Sequence, residues 1–218
     1  MYKFTIRLIA PLLLLLSTAS IADDFDRARP ERLGMSSDRL ERLDAVLKSY
    51  VDNDQLAGQV VLVLRRGRIA YARANGMQDI AAGIPMSTDT MFRIASQTKA
   101  IVSTGIMILH ERGALDIGHP LERYIPEWED MQVAVSNDDG GYSLEPSRRS
   151  ITLRNLLTHT GGMSYGSGPA ADKWEEAGFQ GWYFADRNEP VADTIARMAS
   201  LPLDEHPGER WIYGYNTD

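Results

Sequence analysis

The chain has 218 residues, 44% of them hydrophobic, with 23 basic and 30 acidic side chains, a formal net charge of −7 and no cysteine. That length and apolar content support a sizeable packed core and leave little room for disorder outside loops. The acidic balance argues against nucleic acid or anionic lipid as a partner, and the missing cysteines exclude a disulfide framework.

The first residues read as an export signal. Lys3 and Arg7 form a positive n-region, Leu8 to Leu16 is a short apolar run broken only by Pro11, and Ser20-Ile21-Ala22 puts small residues where a signal peptidase cuts. The run is about half the roughly 20 residues that span a bilayer, so no stable membrane insertion is expected after cleavage. Without cysteine, lipoprotein attachment is excluded. The predicted organisation is a signal peptide over 1–22, cleaved after Ala22, followed by one domain over 23–218 in a periplasmic or secreted protein.

Taken in order, Ser36–Asp52 is predicted as an amphipathic helix, with Ser36 or Ser37 as N-cap and Leu40, Leu43, Val46, Leu47 and Tyr50 at helical spacing. Gly58–Leu64 and Arg68–Ala72 read as two strands of a hairpin, the first apolar enough to be central in a sheet. Gly76–Asp89 reads as loop. Ser96–Arg112 reads as a buried helix ended by Gly113, and Leu115–Trp128 as a turn with a short helix. Val135–Ser150 is polar and Gly-rich, a surface excursion. Thr152 is placed to cap a short helix over Leu153–Leu157, with His159 closing it; Gly166–Ala171 reads as flexible loop and Pro190–Ser200 as a helix with proline in its first turn. Two strands alone make a marginal sheet, so either the hairpin packs on helices as a small α+β domain or further strands lie beyond Asp218; the second reading is favoured.

The chemistry concentrates at Phe92-Arg93-Ile94-Ala95-Ser96-Gln97-Thr98-Lys99. A serine and a lysine three apart share one helix face, so an amine lies within reach of the hydroxyl it helps deprotonate. A serine hydroxyl is a poor nucleophile at neutral pH without such a base. As plain structure, Ser96 would be an N-cap and Lys99 an exposed first-turn residue, but lysine at a helix N-terminus opposes the macrodipole. A second element is Pro207-Gly208-Glu209-Arg210-Trp211-Ile212-Tyr213-Gly214-Tyr215-Asn216, where a phenol near a lysine can act as general base. Tyrosine in an aromatic stretch is more often core.

A competing pattern, Gly162-Met163-Ser164-Tyr165-Gly166, fits the nucleophile elbow of α/β-hydrolases, with His206 as nominal partner. That elbow needs a strand before the serine and a helix after it; a helix-like run precedes Ser164 and a glycine- and proline-rich stretch follows, so Ser164 reads as a loop residue. His110, His119, His159 and His206 are scattered without metal-ligand spacing, and no phosphate or dinucleotide glycine pattern is present. Asp138-Asp139 reads as a solvated turn. No metal and no cofactor are expected.

Phe92–Lys99, Ile151-Thr152-Leu153-Arg154-Asn155-Leu156-Leu157-Thr158-His159-Thr160-Gly161-Gly162 and Pro207–Tyr215 together resemble the serine β-lactamase and penicillin-binding-protein-like superfamily, in its class C β-lactamase and family VIII esterase branch. The resemblance covers most of residues 31–218. It implies an α+β fold, an antiparallel sheet flanked by helices plus a mostly helical region, with C-terminal core strands not in this chain. It also implies Ser96 as the acylated nucleophile, Lys99 as its activating amine and Tyr213 as the tyrosine of a Tyr-x-Asn element. Tyr215 stands where that asparagine is found, which tilts the reading from β-lactam toward ester hydrolysis. Tyr215 as the base is the rival alignment, but its spacing from Pro207-Gly208 is two residues too long. The implied protein is an exported serine hydrolase acting through an acyl-enzyme on a small-molecule ester or amide. The alternatives are a β-lactamase, a D-alanyl-D-alanine carboxypeptidase, a non-catalytic penicillin-recognising module or an inactive fragment. A third motif, which supplies a second oxyanion donor in the superfamily, is not found before Asp218, so the chain alone is expected to fold poorly and to be inactive.

Overall fold

The computed structural model describes residues 25–179 and 188–217; the export segment read over 1–22 lies outside the described residues. The chain forms two compact units, one ending at Phe92 and one beginning at Arg93.

In the first unit a 3-10 turn at Pro30–Leu33 leads to α1, Ser37–Asp52. Ser36 is the N-cap, its Oγ accepting from the Arg39 N–H at 3.4 Å. Strand β1, Gly58–Arg65, pairs antiparallel with β2, Arg68–Asp79, in register from Gly58 opposite Gly76 to Arg65 opposite Arg68, with an irregularity at Val63/Leu64. The connecting Arg66 and Gly67 both have positive φ, 54° and 68°, as a tight hairpin turn between right-twisted strands requires. A short β3, Ile84–Pro85, pairs with the far end of β2, giving the order β1-β2-β3.

The structure corrects the sequence reading here. The second strand runs seven residues past Ala72, β3 lies within the stretch expected as loop, and β2 rather than β1 is central in this sheet. Gly76, a loop signal in the sequence, is a strand residue at φ 80° where a Cβ would lie 2.4 Å from the Ala57 carbonyl oxygen. The close approach of β1 demands the glycine.

The second unit opens with α2, Gln97–Glu111, which ends at Gly113 with φ 70°. Two 3-10 turns follow, Leu121–Arg123 and Pro126–Trp128. Strands β4, Gln132–Ser136, and β5, Tyr142–Pro146, then form a hairpin across the region expected as a surface excursion. β5 is polar because it is mostly exposed, while Val133 and Ala134 of β4 are buried against the distant Leu203, with Ala134 N–H donating to the Leu203 carbonyl at 2.8 Å. That partner, seventy residues on, leaves no local trace in the sequence.

Helix α3, Leu153–Leu157, is capped by Thr152 as expected, and Asn155 completes a capping box: Thr152 Oγ1 accepts from the Asn155 N–H at 3.1 Å and Asn155 Oδ1 accepts from the Thr152 N–H at 3.0 Å. The stretch expected as flexible loop before α4, Ala171–Glu176, is packed, with Ala170 fully buried. Helix α5, Val191–Met198, has Pro190 at its N-cap rather than inside its first turn. The core of this unit gathers Trp128, Val133, Ile151, Met163, Trp174, Phe179, Met198, Leu203 and Tyr215. Trp174 stacks on Tyr215 at 6.0 Å and donates its indole N–H to the Pro202 carbonyl at 3.0 Å. The whole is α+β.

Candidate active site

Helix α2 begins from a strained turn. Ala95 has φ 45°, a left-handed conformation that alanine rarely adopts, and the N–H groups of Gln97, Thr98 and Lys99 bond back three residues to Ile94, Ala95 and Ser96. Ser96 is exposed at the helix N-terminus and its hydroxyl makes no capping bond, so the side chain is not committed to holding the helix.

Lys99 is 8% exposed and is the one buried residue of α2. Its Nζ donates to the Tyr165 hydroxyl at 3.0 Å, and it stands 5.1 Å from the ring centroid of Tyr213. The sequence-predicted Lys99 and Tyr213 are therefore brought together, with Ser96 one helical turn away from Lys99.

Tyr213 is 41% exposed and packs on His159, ring centroids 4.7 Å apart. Its segment is tied to the Thr158-His159-Thr160 motif by the Gly208 N–H donating to the Thr160 carbonyl at 2.7 Å and the Ile212 N–H to the His159 carbonyl at 2.8 Å. His159 itself takes φ 55°, and its N–H closes α3 on the Leu156 carbonyl at 3.2 Å. The motif's contribution is thus a backbone platform that sets where Tyr213 sits.

Sequence reasoning missed Tyr165. Its ring stands edge-on to Tyr213 at 5.8 Å and to Tyr215 at 4.8 Å. The signal lay in the Gly162–Gly166 stretch, where flanking glycines mark close backbone approach and, with Met163 in the core, Tyr165 is the large side chain left to be presented; the elbow pattern drew the reading to Ser164 instead. Ser164 is buried, follows no strand, and accepts from the Ser167 N–H at 2.9 Å. His206 is buried elsewhere, with Nδ1 facing the Arg148 N–H at 3.4 Å, and shares no hydrogen bond with Ser164. Tyr215 is a core residue whose hydroxyl donates to the Phe179 carbonyl at 3.3 Å. Among the described residues no cluster of acids and histidines can hold a metal ion, and no helix is long and apolar enough to cross a membrane.

A buried lysine held by one phenol and faced by another, a turn beyond an uncommitted serine, is an arrangement suited to acyl transfer. Comparison with known proteins decides the family. The beta-lactamase family model matches residues 43–217. The chain belongs to the beta-lactamase family. It is 36% identical over 181 residues to esterase EstB of Burkholderia gladioli, covering 81% of this chain and 42% of the esterase. It is 32% identical over 193 residues to the ML-236A carboxylate methylbutanoyltransferase mlcH of Penicillium citrinum, covering 85% of this chain and 44% of that protein. Among solved structures, EstCE1, described as a hydrolase with promiscuous acyltransferase activity, superposes with a TM-score of 0.65 at 27% identity over 80% of this chain and 43% of its own. The chain thus spans less than half the length of these beta-lactamase-family relatives.

Proposed function

We propose that this chain carries the nucleophile side of an acyl-transfer site in an exported serine hydrolase that acts on small carboxylic esters. The carrying observation is Lys99, buried, with Nζ 3.0 Å from the Tyr165 hydroxyl and 5.1 Å from the Tyr213 ring. In this reading the Ser96 hydroxyl attacks the ester carbonyl and its proton passes to the Lys99–Tyr213 pair. The pair returns a proton to the departing alcohol. Water then attacks the acyl-serine, releasing the acid and restoring the Ser96 hydroxyl. The Ser96 main-chain N–H, at the start of α2, serves as one donor to the developing oxyanion. Export rests on the pattern of residues 1–22 and is checked by the mass of the mature protein, expected to begin at Asp23.

Relatives named as esterase and as acyltransferase favour a second outcome for the same acyl-enzyme, in which an alcohol replaces water as acceptor. The test is covalent labelling of the full chain by a fluorophosphonate, with mass spectrometry to locate the adduct. Labelling is expected on Ser96 and is lost in Ser96→Ala; labelling that persists in that variant overturns the assignment. Labelling needs only the nucleophile side, so it is expected even though the chain alone is expected not to turn over substrate. Where turnover is found, p-nitrophenyl butyrate against nitrocefin separates ester from β-lactam preference, and added alcohol diverts product to a new ester if transfer competes with hydrolysis.

A further inference from the structure

Asp204 stands outside every motif of the reading above, yet it is 8% exposed and sits against the loop that presents Tyr165. Its Oδ2 accepts from the Ser164 N–H at 2.8 Å, and its own main-chain N–H donates to the Gly162 carbonyl at 2.8 Å. Two points of the loop, one on each side of Met163, are therefore fixed to one residue. Ser164 passes the restraint on, its Oγ accepting from the Ser167 N–H at 2.9 Å and pairing with the Ser167 hydroxyl at 3.2 Å. Tyr165 lies between these two anchored serines, and its hydroxyl accepts from Lys99 Nζ. The contact is close enough to constrain the sequence: a Cβ on Gly168 would fall 1.8 Å from Asp204 Oδ1.

A carboxyl is a demanding choice for holding one amide. Among the described residues Oδ1 is buried with no hydrogen-bond partner, and burial pushes the carboxyl above its ordinary pKa, against the pull of the Ser164 hydrogen bonds and the Arg210 charge. An apolar residue would fill the space without that penalty, but it could not restrain the Ser164 amide.

We infer that Asp204 is a positioning residue for the acyl-transfer site, clamping the Ser164 amide so that the Tyr165 phenol is held on Lys99. The inference rests on the reading of Ser96 as nucleophile and adds to it the element that sets its lysine.

The experiment compares the full chain with D204A, D204S and D204N. Two readouts are taken: hydrogen exchange of the Ser164–Ser167 amides, and fluorophosphonate labelling of Ser96 resolved into a maximal rate and a half-saturating probe concentration. Alanine has no acceptor and serine's hydroxyl is too short to reach the amide. Both are expected to speed exchange of the segment about tenfold and to lower the maximal labelling rate by about tenfold to a hundredfold, as small misplacements of reacting groups do, with the half-saturating concentration within about twofold. Asparagine keeps an acceptor and mimics the neutral carboxyl, so D204N stays within about twofold of the parent in both readouts. Where D204A does not fold, D204S is judged by the same readouts. Unchanged exchange and labelling in D204A or D204S overturns the inference, and so does a D204N variant as slow as D204A. A parent chain whose Ser96 is never labelled overturns the acyl-transfer reading itself, a result distinct from either.

Discussion

The two units bury their apolar residues to very different depths. Beyond Arg93, Trp174, Phe179, Ile151, Leu203 and Val133 are enclosed, and the segments bearing Tyr165 and Tyr213 are anchored on that core. Among the described residues up to Phe92, the buried hydrophobic ones are Leu33, Tyr71 and Ala72; α1 buries none of its side chains fully, and β1 leaves Leu62 half exposed. The first unit is held chiefly by its strand ladder and a few polar ties, the second by packing. Helix α2 shows both characters: its first turn buries Lys99, while Ile101, Val102, Met107, Ile108 and Leu109 further along stay substantially exposed. Tyr165 and Tyr213, the partners of Lys99, are held by hydrogen bonds and packing within the second unit, and the first test asks whether that geometry is separable from the stability of the β1–β2 hairpin.

The hardest test of that separation is Trp174→Ala. It removes a side chain that is 1% exposed, the stack on Tyr215 and the bond to the Pro202 carbonyl. The expected loss is about 3–5 kcal/mol. In hydrogen exchange, amides of α3, α4 and residues 203–217 should lose protection while those of β1 and β2 keep theirs. Equal loss in both units would show one cooperative body and break the comparison. A smaller perturbation of the same unit is Thr152→Ala, which removes one half of the α3 capping box and is expected to cost about 1 kcal/mol. Read by the same exchange measurement, its effect should concentrate at residues 153–160.

These sites also show what can be read from sequence. Helix α1, the α3 cap and the span of α2 were legible because each depends on signals within a few residues: Ser36, Thr152 and Gly113. The pairing of Lys99 with Tyr213 was expected only through resemblance, since no local pattern links residues 114 positions apart in the chain. Strand β4 was lost because its burial depends on Leu203, and β2 was cut short because Gly76 reads as a breaker until β1 is seen against it. Tyr165 was passed over for a related reason. Its meaning comes from Lys99 and from Asp204, neither of which is its neighbour in sequence.

The smallest effect tests the polar side of the comparison, in the first unit. The Tyr71 hydroxyl on β2 donates to Asp44 Oδ1 on α1 at 2.7 Å. Burial, then the hydrogen bond and charge of Asp44, push this phenol up to about 12. The folded chain therefore holds the phenolic proton more tightly than the unfolded chain, whose tyrosines titrate near 10. The stabilisation is fully present below about pH 10 and is lost as pH rises toward about 12. Ultraviolet titration of the phenolate band should show one tyrosine ionising near the upper value in the parent and absent from Tyr71→Phe. Phenylalanine keeps the ring and removes the tether, at an expected cost of about 1 kcal/mol near neutral pH. The difference between the two chains should then shrink across the alkaline window, because the parent loses there what the variant never had. A difference that stays constant with pH would mean that Tyr71 stabilises the unit through its ring alone, and that packing governs the first unit as it does the second.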